Sequence, residues 1–165
     1  KWSNGVPYMG KNYNNVRERI FNELSRDTYK KYNKFLGDGV FLKGEQYGKK
    51  INSSKIWICT PSAIDIIGPR YYEIIGSNSL LFCKKIDNIY DGLFEEGKHY
   101  VGFSDDLCDF EEKLIYYLKN DSEREAISSN GFLLAKELHT WQHRVETIHR
   151  IIKNHVKTIG VKNEL

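Results

Sequence analysis

Arg70 and Glu73 stand three residues apart in the run Thr60-Pro-Ser-Ala-Ile-Asp65-Ile-Ile-Gly68-Pro69-Arg70-Tyr-Tyr-Glu73-Ile-Ile-Gly76. Residues at that separation share one face of a helix. Pro69 suits a first helical position, because its φ is already helical and its missing N–H would be an orphan there. Gly76 is the expected left-handed stop. A helix start offers backbone N–H groups and a positive field, Arg70 adds a full charge, and Gly68 lets an anion come close to the backbone. A carboxylate beside them has two acceptor oxygens that match a vicinal diol. Phosphates and a ribose would satisfy all of these groups at once. An ordinary surface ion pair would use the same two residues, and spacing alone leaves both readings open.

The surrounding elements alternate. Gly5–Met9 reads as a short strand stopping at Gly10, and the apolar residues Val16, Ile20, Phe21 and Leu24 predict a helix over Tyr13–Ser25. Gly10 and Lys11 would then lie beyond the carboxyl end of the first strand, where open α/β sheets take ligands. Arg17 would stand one or two turns into the helix. A turn glycine and exposed cations explain these three equally well. Gly37-Asp-Gly39 marks a turn before Val40-Phe-Leu42, and a polar, Lys-rich loop is expected up to Lys55. Lys55–Cys59 and Ser79–Cys83 are continuous apolar runs, as in parallel strands covered on both faces. Tyr100–Phe103 is a further strand, and Ser104-Asp-Asp106 a helix start. Helices follow over Leu107–Leu118 and from Asp121 to about Leu138. Thr140 is expected to cap a last helix, with Trp141 packing inward and Val145, Ile148, Ile151 and Ile152 forming a stripe that could reach a neighbour. Strands separated by helices predict α/β architecture: one Rossmann-like open parallel sheet with helices on both faces, ending in helices.

Bulk properties bound the rest. The chain has 165 residues, enough for one domain with a real core. Its net charge of +3, spread along the chain, argues against a nucleic-acid footprint. Three cysteines cannot all pair with one another, and Cys59 and Cys83 sit in apolar runs as small hydrophobes, which favours a reducing, cytoplasmic setting. No apolar run reaches transmembrane length.

Other chemistries lack their residues. His139 and His143 are four apart, but no Glu follows the first and no third ligand stands near, so zinc is not expected. Ser62 is not in a nucleophile elbow. Dinucleotide and Walker fingerprints are absent, against a dehydrogenase or NTPase.

Four ordered motifs from about Lys55 to Arg144 resemble the C-terminal, nucleotide-sugar-binding half of GT-B glycosyltransferases, within the group-1 (GT4-like), CgeB-type branch. Asp65 and Glu73 flank seven residues, similar to a paired acidic motif with Asp for the first Glu. Arg70-Tyr-Tyr-Glu73-Ile-Ile-Gly76 before Leu80-Leu-Phe is the second. Leu93-Phe-Glu-Glu-Gly-Lys-His-Tyr-Val101 resembles the strand segment that follows, and Asp121-Ser-Glu-Arg124 through His139-Thr-Trp-Gln-His-Arg144 resembles the ending. Val6-Pro-Tyr-Met-Gly10 with Arg17 is similar to the opening of the same half. The chain is accordingly identified as a single donor-binding domain over residues 1–165, with the N-terminal, acceptor-binding domain of a full GT-B enzyme outside it.

The resemblance implies sugar transfer from a UDP- or GDP-sugar to an acceptor glycan, protein or small molecule, with no metal required. By carry-over, Glu73 would hold the ribose. Arg70, with the helix start at Gly68, would face the diphosphate, and Asp65 the donor sugar. Gly10, Lys11 and Arg17 would complete the donor site, Lys11 in place of a diphosphate lysine that has no clear counterpart. The shortened side chain at Asp65 also fits a non-catalytic binding module on the same half-fold. A receiver-like signalling domain is a third reading, opposed by the lack of an acidic cluster after the first strand.

Overall fold

A computed structural model describes residues 11–32, 42–61, 66–87, 90 and 92–158, the side chains of 11–15 and 157–158 excepted. The strand candidate at residues 5–9, the turn at 37–39 and the extension at 40–41 fall outside them. Three parallel strands, β1 (Ile56–Cys59), β2 (Leu80–Lys84) and β3 (Val101–Phe103), form a sheet in that order. Ile56 pairs with Leu80 and Cys59 with Cys83, while Phe82 pairs with Val101 and Lys84 with Phe103. The helices are α1 (Lys11–Leu24), α2 (Gly44–Asn52), α3 (Pro69–Gly76), α4 (Phe110–Lys119), α5 (Asp121–Leu138) and α6 (Trp141–Thr158).

Alternation along β2 explains its unbroken apolar run. Leu80 and Phe82 join one core with Ile20 of α1, Phe110 and Leu114 of α4, and Phe103. Leu81 and Cys83 join the opposite core with Ile51 of α2 and Tyr71, Ile74 and Ile75 of α3. All four strand residues are fully buried, so each side of the strand faces a helical layer. This is the expected Rossmann-like arrangement, an open parallel sheet with helices on both faces. Burial of a Leu or Phe side chain contributes about 1.5–3 kcal/mol, so β2 anchors the sandwich.

Helix α5 contributes to both cores, Ile127 to one and Ala135 to the other. It packs chiefly against α3. Gly131 makes that approach possible, since a Cβ there would sit 2.9 Å from the His99 carbonyl oxygen and 3.2 Å from Ile75.

Several local expectations are corrected. The Lys-rich loop contains α2: Tyr47 and Ile51, four apart, turn to the core, while Lys49 pairs with Glu45 at 2.7 Å on the outer side. Gly76 is the last residue of α3 rather than its left-handed stop, and Asn78 takes the positive φ of 56°. The segment 93–100 is not a strand. Left-handed Gly92 and Gly97 fold it into turns, with a single bridge from Glu96 to Tyr100.

Asp105 and Asp106 do not start α4 either. Leu107 turns left-handed at φ 63°, and the helix begins after Asp109, whose Oδ1 accepts the Ser104 N–H at 2.8 Å.

At the chain's far end Thr140 behaves as expected, its hydroxyl accepting the His143 N–H at 3.4 Å. Trp141 does not pack inward and is 81% exposed. Val145, Ile148, Ile151 and Ile152 are also more than half exposed, so α6 turns its apolar stripe to solvent. Among the described residues, no helix is long and apolar enough to cross a membrane.

Candidate functional site

Four of the expected residues, Arg17, Gly68, Arg70 and Glu73, lie around the carboxyl end of β1. Helix α3 starts as predicted, with extended Gly68 as N-cap, no side-chain cap, and Pro69 at the first position. Arg70 and Glu73 follow on it, both exposed rather than locked in the core. From α1, Arg17 Nε donates to the Thr60 hydroxyl at 3.1 Å, one residue beyond the strand. Both Arg17 and Arg70 lie near enough to Cys59 to oppose the burial that pushes its thiol up to about 11. Two guanidiniums on separate helices thus approach one strand end, next to a helix N-terminus whose field has the same sign.

Glu73 is held by a residue that sequence reasoning missed. The Tyr47 hydroxyl donates to Glu73 Oε2 at 3.0 Å, across 26 residues of chain. Burial pushes the Tyr47 phenol up to about 12, the Glu73 hydrogen bond adds to the rise, and nearby Arg70 pulls it down. Its ring packs edge-on to Trp57 of β1, with centroids 6.0 Å apart. The one signal in the sequence was the Tyr47–Ile51 spacing, hidden among glycines and lysines.

Beside this cluster a cleft of about 550 Å³ opens beyond the strand ends. Pro61 and Ile67 line it on the β1 side with Tyr71 of α3, Lys84 ends β2 and Lys85 to Asp87 follow it, and Ser104 and Asp105 follow β3. Lys84 reaches Asp105 at 3.2 Å. Neither Arg70 nor Glu73 is among the lining residues; of α3, Tyr71 is the residue that lines it. An open parallel sheet receives ligands outside the carboxyl ends of its strands, and the cleft occupies that position.

The other expected site residues divide plainly. Gly68 is at the helix start and Arg17 in the second turn of α1, both at the strand end. Lys11 opens α1, and its side chain lies outside the described residues, as do Gly10 and Asp65.

His139 and His143 form no pair. Arg144 donates to His139 Nδ1 at 2.5 Å, which places the imidazole proton on Nε2, and the ring stacks on Phe94 with centroids 5.9 Å apart. His143 Nδ1 instead meets the Thr140 hydroxyl at 2.7 Å. No group of three or more metal-ligating side chains occurs among the described residues.

Among the described residues of this strand end, the Cys59 thiol is buried and held protonated, which makes it a poor nucleophile. The site offers cations, a helix start, one fixed carboxylate and a cleft. Those are the parts for gripping an anionic, hydroxyl-bearing ligand.

A model of the family described as "Glycosyl transferase-like" matches residues 12–150. No curated protein and no solved structure matches the chain. The match covers α1 to the middle of α6, including every described strand and every described side chain of the cluster; the chain belongs to the glycosyl transferase-like family.

Proposed function

We propose that the chain is the donor-binding half of a GT-B glycosyltransferase of the group-1, CgeB-like type, acting on a nucleoside-diphosphate sugar. The observation that carries this reading is the convergence of Arg17, Arg70 and Glu73 on the carboxyl end of β1, beside the cleft. The nucleoside would lie at the carboxyl end of β1 with its ribose hydroxyls donating to Glu73. The diphosphate would lie over the start of α3, where Arg70, Arg17 and the backbone N–H groups after Gly68 face it.

In sugar transfer the bond from the anomeric carbon to the diphosphate oxygen breaks, and negative charge grows on the leaving group. Fixed cations and helix N–H donors stabilise that charge more than they stabilise the intact donor, which lowers the barrier. Asp65 would lie at the sugar, and Gly10 and Lys11 at the diphosphate. The acceptor would approach from an N-terminal domain outside this chain, so the isolated half should bind nucleotide and transfer sugar poorly. A cytoplasmic setting follows from the supply of nucleotide sugars.

Calorimetric titration with UDP, GDP and their sugars tests the proposal. Binding that falls at least about tenfold in both Arg70→Ala and Glu73→Ala is expected, since each removes a charge-assisted contact. Binding indifferent to both substitutions would sink it.

A further inference from the structure

We propose that Tyr47 is the positioning residue for Glu73: it fixes the carboxylate that reads the ribose and is therefore a determinant of ribose recognition. This rests on the donor-site reading above. A glutamate on the outer surface of a short helix samples several rotamers, and ordering a flexible side chain on binding has an entropic cost. Glu73 is exposed, yet one oxygen is already engaged by a phenol at 3.0 Å.

That phenol is itself held. Its ring lies edge-on to Trp57 and packs against the core that contains Ile51, Tyr71 and Ile74. Tyr47 is thus anchored by α2 and β1, while Glu73 belongs to α3, and the hydrogen bond ties the three elements at the strand end. The single phenolic proton goes to Oε2, leaving Oε1 to accept from a ligand hydroxyl. Arg70, on the same helix as Glu73, is near enough to act on the same phenol, so cation and carboxylate share one fixed neighbour.

The discriminating measurement compares ribose and deoxyribose ligands. UDP and GDP, each with its 2′-deoxy counterpart, are titrated into the full chain and into Tyr47→Phe, Glu73→Gln and the double variant. Tyr47→Phe keeps the ring and its packing on Trp57, and a thermal melt of each variant verifies the fold.

A mobile Glu73 should weaken binding of the ribonucleotide about tenfold while leaving the 2′-deoxy ligand nearly unchanged, so the ribo-to-deoxy preference shrinks. A merely structural loss would weaken both ligands equally. On the Glu73→Gln background, Tyr47→Phe should cost much less than it does alone, because its effect passes through Glu73.

Wild-type affinity and preference in Tyr47→Phe, with Glu73→Gln still impaired, would overturn the role of Tyr47 and leave the donor site standing. Nucleotide binding that is absent, or unchanged in Glu73→Gln, would overturn the donor site and the role of Tyr47 together.

Discussion

The two ends of the sheet use charge in opposite ways. At the amino end, Lys55 just before β1 reaches Asp121 at 2.9 Å, and Asp121 also meets Arg124 of α5. Arg124 is 3% exposed and donates further to the Tyr117 carbonyl and to Glu125, both at 3.1 Å. Every partner in that cluster is supplied by the fold, and its work is to clamp α5 to β1 and α4. At the carboxyl end, Arg70 and Glu73 stay at the surface beside a cleft, and Glu73 is steadied by a neutral phenol rather than by a second charge. A charge-rich sheet end therefore says little by itself; the contrast lies in the buried Arg124, whose partners the fold supplies, against the exposed Glu73, whose partner is a phenol.

The sharpest way to break this contrast is to exchange the expected losses. Arg124→Ala should cost about 3 kcal/mol of stability, because it removes a buried guanidinium and leaves the Tyr117 carbonyl without its donor. Urea unfolding reads that loss, and nucleotide affinity of the folded chain should not change. Arg70→Ala should do the reverse, weakening nucleotide binding by about 2 kcal/mol with stability within about 0.5 kcal/mol of the parent, as for surface changes generally. A stability loss for Arg70→Ala as large as that for Arg124→Ala would erase the distinction.

Alkaline titration sharpens it further. The folded-state pKa of Tyr47 is raised from 10.0 to about 12, chiefly by burial. A raised value means that the native state keeps a proton the unfolded chain has lost. The stabilisation is complete below pH 10 and disappears as pH climbs through about 12. Tyr29, also pushed to about 12 by burial, adds to the same slope. Tyr47→Phe should make the decline in melting temperature above pH 10 shallower, and an unchanged slope would mean that the Tyr47 phenol is not buried as described.

On the acid side, burial lowers both His99 and His139 below the ordinary imidazole value of 6.5. The unfolded chain therefore gains protons first, so stability is present above pH 6.5 and declines as pH falls below it. Melts at pH 7 and pH 5.5 should show the drop, and His139→Gln should reduce it. The smallest effect belongs to α6, where Ile148→Ser should change stability by less than about 0.5 kcal/mol, because Ile148 is 57% exposed.

Much of this architecture could be read from the residues, and the failures share a cause. Pro69 fixed the start of α3 and thereby put Arg70 and Glu73 together on the helix that follows β1. The apolar runs gave β1 and β2, because a strand buried on both faces needs no polar alternation. Helix α2 was missed because its sequence, GEQYGKKIN, holds two glycines and just two core-facing residues; tertiary contact with β1 and α3 stabilises it more than propensity does. The left-handed turn at Leu107 could not be read, since a bulky residue seldom adopts it. Tyr47 was hidden for both reasons at once, on an unread helix and joined to Glu73 by a contact that no local pattern encodes. The inward packing expected of Trp141 failed because periodicity shows which residues share a helix face and says nothing about what that face meets.

One pair of residues gives the sheet an internal clock. Cys59 and Cys83 are register partners on adjoining strands, both beneath α3, and burial holds both thiols protonated. An alkylating reagent added to the native chain should modify the exposed Cys108 and spare the other two. They should react only when the packing of α3 over the strand pair opens, so the labelling rate of these sulfurs would report how often that corner does so. A ligand bridging the start of α3 to β1 would slow the count, which makes occupancy measurable without any sugar being transferred.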